Sequence, residues 1–411
     1  MNNELELYIH IPFCARKCSY CDFLSAPADE ETKEAYVNAL INEIELSGKI
    51  YGGRKITTIF MGGGTPSILS SEQTVRIIDA LKGAFDLAGL KGKPKTFFRR
   101  KAVPPEIEFT IECNPGTIDR EKLKAYKKAG INRISLGLQS AADNELKELG
   151  RIHTVSDFLD SFENARMEGF ENINVDLMQA IPHQTLASWR KTLMAIAALR
   201  PEHISAYSLQ IEEGTPFYER MNKLDLPDED EEREIYYVTR EILSQFGYER
   251  YEISNYALTG KKCRHNLGYW TRKNYLGLGL GSSSMVDNVR WKNISELDGY
   301  ISLMSTAGSL DGIRTETRKL SHKDQMEEFM FLGLRTMQGI TKEEFFETFK
   351  TDYDYIYGAV TTELVMDGLL KIEESEVEDP LTSFMKTQTR VFLTDKGIDV
   401  SNKVLAEFLQ E

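Results

Sequence analysis

Apolar and polar residues alternate along 5–11 (Leu-Glu-Leu-Tyr-Ile-His-Ile) until Pro12 stops the run, and this period of two predicts a short strand. Next, Tyr36, Val37, Leu40, Ile41 and Ile44 recur at helical spacing, which predicts an amphipathic helix over 33–47. A β-rich run over 56–61 ends abruptly in Gly62-Gly63-Gly64-Thr65-Pro66, and Val75, Ile78 and Leu81 mark another helix. The alternation continues with strand 107–112, helix near 120–128 and strand 133–139. Further helical sequence, strand 173–178, helix near 186–199 and strand 204–210 complete it. Repeated strand–helix units imply a parallel sheet, either open or closed into a barrel.

Glu112, Gln139 and Asp176 sit at the carboxyl ends of their strands, and the glycine run ends another. Functional residues gather at that face of a (β/α) barrel, whereas an open doubly wound sheet binds ligands at a switch point between strands. Six units can be counted, two short of a closed eight-fold barrel. The expected fold is therefore α/β and barrel-like, with six units over 1–215. Beyond it the pattern changes: 225–234 is strongly acidic, 248–256 is rich in aromatics and 277–281 in glycine. Residues 216–315 read as an extension of the barrel. Residues 316–411 read as a smaller helical module, with helical periodicity over 326–337 and 353–370, a polar hairpin, strand 390–394 and a final helix over 399–409. Helices followed by a β-wing look like a winged helix.

Composition narrows the function classes. The 411 residues carry a net charge of −14, which argues against nucleic acid as a partner even for a winged helix. No run of eighteen apolar residues occurs and the amino end lacks a signal-peptide pattern, so the expected location is the cytoplasm, in keeping with clustered thiols. One stretch, 91–105, is locally basic (Lys91, Lys93, Lys95, Arg99, Arg100, Lys101). It reads as a solvated loop or, more sharply, as a peripheral contact for a membrane surface or an acidic partner.

Three of the five cysteines, Cys14, Cys18 and Cys21, fall in Cys-x3-Cys-x2-Cys just after the first strand. Three thiolates on one loop can hold three irons of a cubane iron–sulfur cluster and leave the fourth iron open. A zinc knuckle with a distant ligand, or disulfides, are the alternatives, but zinc knuckles come as paired short spacings. Cys113 reads as packed core.

This triplet, with Tyr20 before Cys21, resembles the radical S-adenosylmethionine superfamily. The resemblance implies a [4Fe–4S] cluster on Cys14, Cys18 and Cys21. Its open iron is chelated by the amino and carboxylate groups of S-adenosylmethionine, and an electron from the cluster, supplied by a flavodoxin or ferredoxin, cleaves the sulfonium. It also implies the partial six-unit barrel. The order and spacing of further residues resemble the cofactor pocket of the coproporphyrinogen-dehydrogenase branch: Tyr8 beside the cluster loop, Gly63, Gly64 and Thr65 at the methionine end, and Glu112, Gln139, Arg151 and Asp176 on its polar groups. Singly, each has a plainer reading: a tight turn, a salt bridge, a backbone cap or a surface pair.

Within that branch the chain resembles the HemW-like heme chaperones. The dehydrogenases continue their triplet as Cys-x-Cys, whereas here Asp22 and Phe23 follow Cys21. In addition, His265-Asn266-Leu267-Gly268-Tyr269-Trp270 fits the His-Asn-x-x-Tyr-Trp motif associated with heme in the chaperones. An imidazole is a good axial ligand and the aromatic pair offers flat apolar area, though a lone histidine with such neighbours is also ordinary core. The expectation is a chaperone that binds heme, with His265 on the iron, and passes it to an acceptor protein. Oxidative decarboxylation of coproporphyrinogen III is the alternative. No catalytic side chain is expected, and whether S-adenosylmethionine is cleaved stays open.

Overall fold

Strand β1 (Glu4–Ile11) turns Leu5, Leu7, Ile9 and Ile11 into a core where they are fully buried with Tyr36, Val37, Leu40 and Ile44 of helix α1 (Glu30–Tyr51). Burying each aliphatic side chain of this kind contributes about 1.5–3 kcal/mol. The intervening residues Glu6, Tyr8 and His10 face the other side of the sheet. The computed structural model describes residues 3–90, 105–306, 308–378 and 385–409. The basic stretch 91–105 lies outside them except for its last residue.

Strands β2 (Lys55–Gly63), β3 (Glu108–Cys113), β4 (Arg133–Gln139), β5 (Ile173–Gln179) and β6 (His203–Ser208) follow β1 in that spatial order, every neighbouring pair parallel. Across these six strands spatial order equals chain order, with no reversal of winding among them, as in a partial barrel rather than a doubly wound sheet. The crossovers are α1, α2 (Ser71–Ala84), α3 (Arg120–Ala129), the pair α4 (Asp143–Glu148) and α5 (Val155–Met167), and α6 (Leu186–Ala198). Reciprocal caps start several of them: Ser70 with Gln73, Thr154 with Asp157, and Thr185 with Ser188.

Register sets the inner face. It places Glu6 beside Thr58 and Thr58 beside Glu108 at the amino ends, then Glu112 beside Ser135 and Gly137 beside Asp176 nearer the carboxyl ends. The interior is thus largely polar, unlike the branched aliphatic layers that fill a closed eight-stranded barrel.

The sheet is wider than the alternation of strands and helices predicts. Tyr275–Leu278 pairs parallel with the free edge of β1, and Ser283–Val286 and Val289–Asn293 extend it antiparallel. Buried Glu43 of α1 fastens this extension, accepting from Gly279 N (2.7 Å), Asn293 Nδ2 (2.7 Å) and the Tyr300 hydroxyl. The glycine-rich 277–281 is therefore the end of a strand and the turn after it. The acidic 225–234 is largely the start of helix Glu229–Gln245, where carboxylates suit the positive end of the helix dipole and Asp228 caps it.

Two compact units result: residues 1–249, 256–265 and 274–318 form the first, and 250–255, 266–273 and 319–411 the second. Residues 216–315 make no separate body but are divided between them. The second unit holds helices His322–Gly333, Lys342–Phe349 and Tyr353–Met366. Its three-stranded sheet has Met385–Leu393 between Ile340–Thr341 and Leu370–Glu378, and the hairpin formed by the two longer strands is the expected wing. Two short helices, Asp395–Asp399 and Ser401–Ala406, stand where one was expected.

Candidate cofactor site at the carboxyl mouth of the barrel

The loop after β1 is pinned at several points. Cys14 N donates to Ala26 O (3.1 Å), Ser19 N to Leu149 O (3.0 Å) and Phe217 N to Ser19 O (3.0 Å), while Arg16 Nη2 reaches Gly150 O (2.6 Å). Cys14, Cys18 and Cys21 are free thiols, each partly exposed, and all three line one open cavity. Among the described residues, no three His, Cys, Asp or Glu side chains close round a point as the shell of a single metal ion does. Thiols ringing a cavity suit a cluster instead, because each iron takes one thiolate.

Two of the thiols already receive hydrogen bonds. Thr65 Oγ1 donates to Cys14 Sγ (3.5 Å) and Arg151 Nη1 to Cys18 Sγ (3.5 Å). Gly64 must be glycine at this point: a Cβ there would lie 2.6 Å from Phe13 O and 3.0 Å from Cys14 Sγ. Burial pushes the Cys21 thiol up, with Cys18 and Cys14 adding to the effect.

The opposite wall is built by the strand ends. Glu112, Ser135, Gly137, Gln139, Asp176 and Tyr207 all line the cavity. A bulge between Gly137 and Gln139, and a φ of 78° at Gln139, accompany the turn of that amide into it. Glu112 accepts from Gly63 N (3.2 Å), and Asp176 from Ser135 Oγ and Asn174 Nδ2. Burial raises both carboxyls, Glu112 to about 8 with Asp176 adding to it. Two buried acids aimed into one cavity favour a cationic ligand, which would restore their charge. Arg151 uses Nη2 on Asn114 Oδ1 (2.7 Å) and Gly137 O (2.5 Å), so only its Nε lacks a hydrogen-bond partner. With both Nη2 hydrogens taken, neither fork of the guanidinium is whole, and Nε is the nitrogen left to meet a carboxylate.

These features fit the cluster and an amino-acid-bearing sulfonium nucleotide. Of the residues the motifs single out, Gly63, Gly64, Thr65, Glu112, Gln139, Arg151 and Asp176 lie together here. Tyr8 is not among them. Its ring lies a layer lower, stacked on Phe60 with its hydroxyl 3.0 Å from His10 Nδ1. The sequence reading missed Asn114, Ser135, Gly137 and Tyr207. A usable signal existed, since Ser135, Gly137 and Gln139 share one face of a strand already known to end at the site.

His265 lies elsewhere. It is 1% exposed at the amino ends of the strands, its Nδ1 is 2.7 Å from Thr58 Oγ1 and 3.7 Å from Glu6 Oε2, and its ring stacks on Phe60. Glu108 Oε1 accepts from the backbone N–H groups of Arg264 (3.0 Å) and His265 (3.2 Å), holding the start of helix Arg264–Trp270. Burial, then the Arg133 charge, push its imidazole down to about 3. As an iron ligand standing ready, His265 is not what the structure presents. Tyr269 and Trp270 belong to the second unit, where Arg335 lies over the Trp270 ring at 4.5 Å.

The sequence matches the Radical SAM superfamily over residues 8–196 and the HemN C-terminal domain over residues 320–378. It is 36% identical over 404 residues to the heme chaperone HemW of Lactococcus lactis subsp. lactis (strain IL1403), covering 98% of this chain and 96% of that protein. The chain belongs to the HemW family. The heme chaperone HemW of Bacillus subtilis (strain 168) is also 36% identical, with 98% and 99% covered. Beyond bacteria, the HemW-family chain is 32% identical to the mitochondrial radical S-adenosyl methionine domain-containing protein 1 of Bos taurus, with 90% and 83% covered. Among solved structures, coproporphyrinogen III oxidase (HemN) of Escherichia coli superposes with a TM-score of 0.80 at 21% identity, covering 99% of this chain and 90% of that one. At that identity the likeness speaks to fold, a radical SAM barrel with a C-terminal domain.

Proposed function

We propose that this protein holds a [4Fe–4S] cluster on Cys14, Cys18 and Cys21, binds S-adenosylmethionine against it, and takes up heme for delivery to an acceptor protein. One observation carries the cofactor half: three free thiols, two already hydrogen-bonded, face two buried acids across a single cavity. The heme half rests on full-length relatives named heme chaperones. When bound, the cluster and S-adenosylmethionine supply one-electron chemistry that no side chain here can. The chain's own part is placement. Glu112 and Asp176 accept from the ammonium and hydroxyl groups, Gln139 contributes its amide, and Arg151 Nε meets the carboxylate. Gly63 and Gly64 admit the methionine end, with Thr65 fixing the loop, and Tyr8 supports this layer from below.

For heme, His265 is the proposed iron ligand, and ligation requires the start of helix Arg264–Trp270 to withdraw from Thr58 and Glu108. The test uses anaerobically reconstituted full-length protein. Expected are iron and acid-labile sulfide near four each per chain, a Soret band on heme titration, and heme passing to an apo-hemoprotein. No cluster would sink the first half, and no Soret band the second. Formation of protoporphyrinogen IX from coproporphyrinogen III would replace the chaperone reading with the dehydrogenase one.

A further inference from the structure

Asn114 lies directly after β3, and its amide bridges the two donors that reach the cluster-binding thiols. Nδ2 donates to Thr65 Oγ1 (2.8 Å) and Oδ1 accepts from Arg151 Nη2 (2.7 Å). The chemistry fixes the direction of every bond. A guanidinium only donates, so the amide oxygen must face Arg151 and the amide nitrogen must face Thr65. Thr65 Oγ1 therefore accepts from Asn114, and its own proton is left for Cys14 Sγ. On the other arm, Arg151 is held so that Nη1 points at Cys18 Sγ. The crossing is tight: a Cβ on Gly137 would lie 3.0 Å from Asn114 Oδ1 and 3.2 Å from Arg151 Nη2. Cys21 receives neither donor.

We infer that Asn114 is a positioning residue that directs hydrogen bonds onto two of the three cluster thiolates, through Thr65 to Cys14 and through Arg151 to Cys18, and so sets the reduction potential of the cluster. The inference rests on the cluster reading above. Hydrogen bonds to cluster sulfurs stabilise the more negative, reduced state and raise the potential. Asn114→Leu removes the bridge at similar volume. Asn114→Asp keeps the shape and the Arg151 partner but only accepts, so the Thr65 proton turns from Cys14 to the carboxylate.

The experiment is a redox titration of reconstituted full-length protein, followed by the EPR signal of the reduced cluster, with iron and sulfide counted in each sample. Both variants are expected to shift the midpoint to more negative potential. Asn114→Asp should shift it less when Thr65 is already Val, because one route has been removed. Where Asn114→Leu fails to fold, the isosteric Asp variant carries the test. Unchanged midpoints in fully loaded variants would overturn the inference, as would an equal Asp shift with and without Thr65, which would mean that the added charge alone is acting. Absence of a cluster in the unmodified protein would instead overturn the reading beneath it.

Discussion

Glu112 joins burial to function at a single carboxyl. With no cation against it, burial and the neighbouring Asp176 hold its pKa at about 8 instead of 4.5. A raised carboxyl favours folding below its unfolded range, and that contribution is lost as pH rises from 4.5 toward 8. An ammonium or sulfonium in the cavity would pull the pKa back down, so binding at pH 7 should release close to one proton from Glu112. Calorimetry in two buffers of different ionisation enthalpy reads that number directly. Glu112→Gln should abolish the Glu112 share and weaken binding of S-adenosylmethionine by about 1.5–3 kcal/mol. Equal proton release from the variant would remove Glu112 from the site. Gly137→Ala tests the crossing beside it: a methyl 3.0 Å from Asn114 Oδ1 and 3.2 Å from Arg151 Nη2 pushes on both. A cost of about 1–3 kcal/mol is expected for such overpacking, together with weaker ligand binding. A thermal melt and a binding isotherm check it. The residues at this scale that could be read from sequence are those whose chemistry is conspicuous at a strand end, Glu112, Gln139 and Asp176. Ser135 and Asn114 look like ordinary fold residues until the register shows which way they face.

Among elements, the strands and crossover helices of the barrel were legible because each carries its own period, two for β1 and near 3.6 for α1. The strands 275–293 were not, being short, glycine-containing and stabilised by a distant acid, Glu43, which no local pattern reveals. Helix Arg264–Trp270 shows the same limit, for a motif suggestive of a ligand turned out to seat its histidine under the barrel. The consequence is measurable. His265→Ala removes the Thr58 partner and the ring stacked on Phe60, and should cost about 2–4 kcal/mol. A lost Soret band in that variant therefore needs a melt beside it. The imidazole, held at about 3 instead of 6.5, contributes stability that is full above 6.5 and falls away as pH drops toward 3. Urea midpoints should accordingly decline between pH 7 and pH 4, and His265→Gln should flatten part of that slope. An unaltered slope would mean that other buried groups, such as His203, account for it.

On the scale of the whole chain, the two units are interleaved in sequence, so the C-terminal module is not a simple appendage. Tyr251 O accepts from Met337 N (3.0 Å), Glu252 bridges Thr336, Arg272 pairs with Glu328 (3.2 Å) and Trp270 lies beneath Arg335, all within the second unit. Every cavity residue named above belongs to the first unit. A chain ended after Arg318 would keep the whole cluster loop yet strand 250–255 and 266–273 without the partners that bury Tyr251 and Glu252. Unpaired backbone and freshly exposed aromatic surface in the middle of the chain destabilise far more than loss of a tail. The truncated protein should therefore aggregate or melt well below the full chain, whereas a chain that also replaces these two segments with short polar linkers should stay dispersed. Light scattering and a thermal melt separate the two outcomes. Equal behaviour of the plain truncation and the full-length protein would show that the second unit does not need to hold those segments.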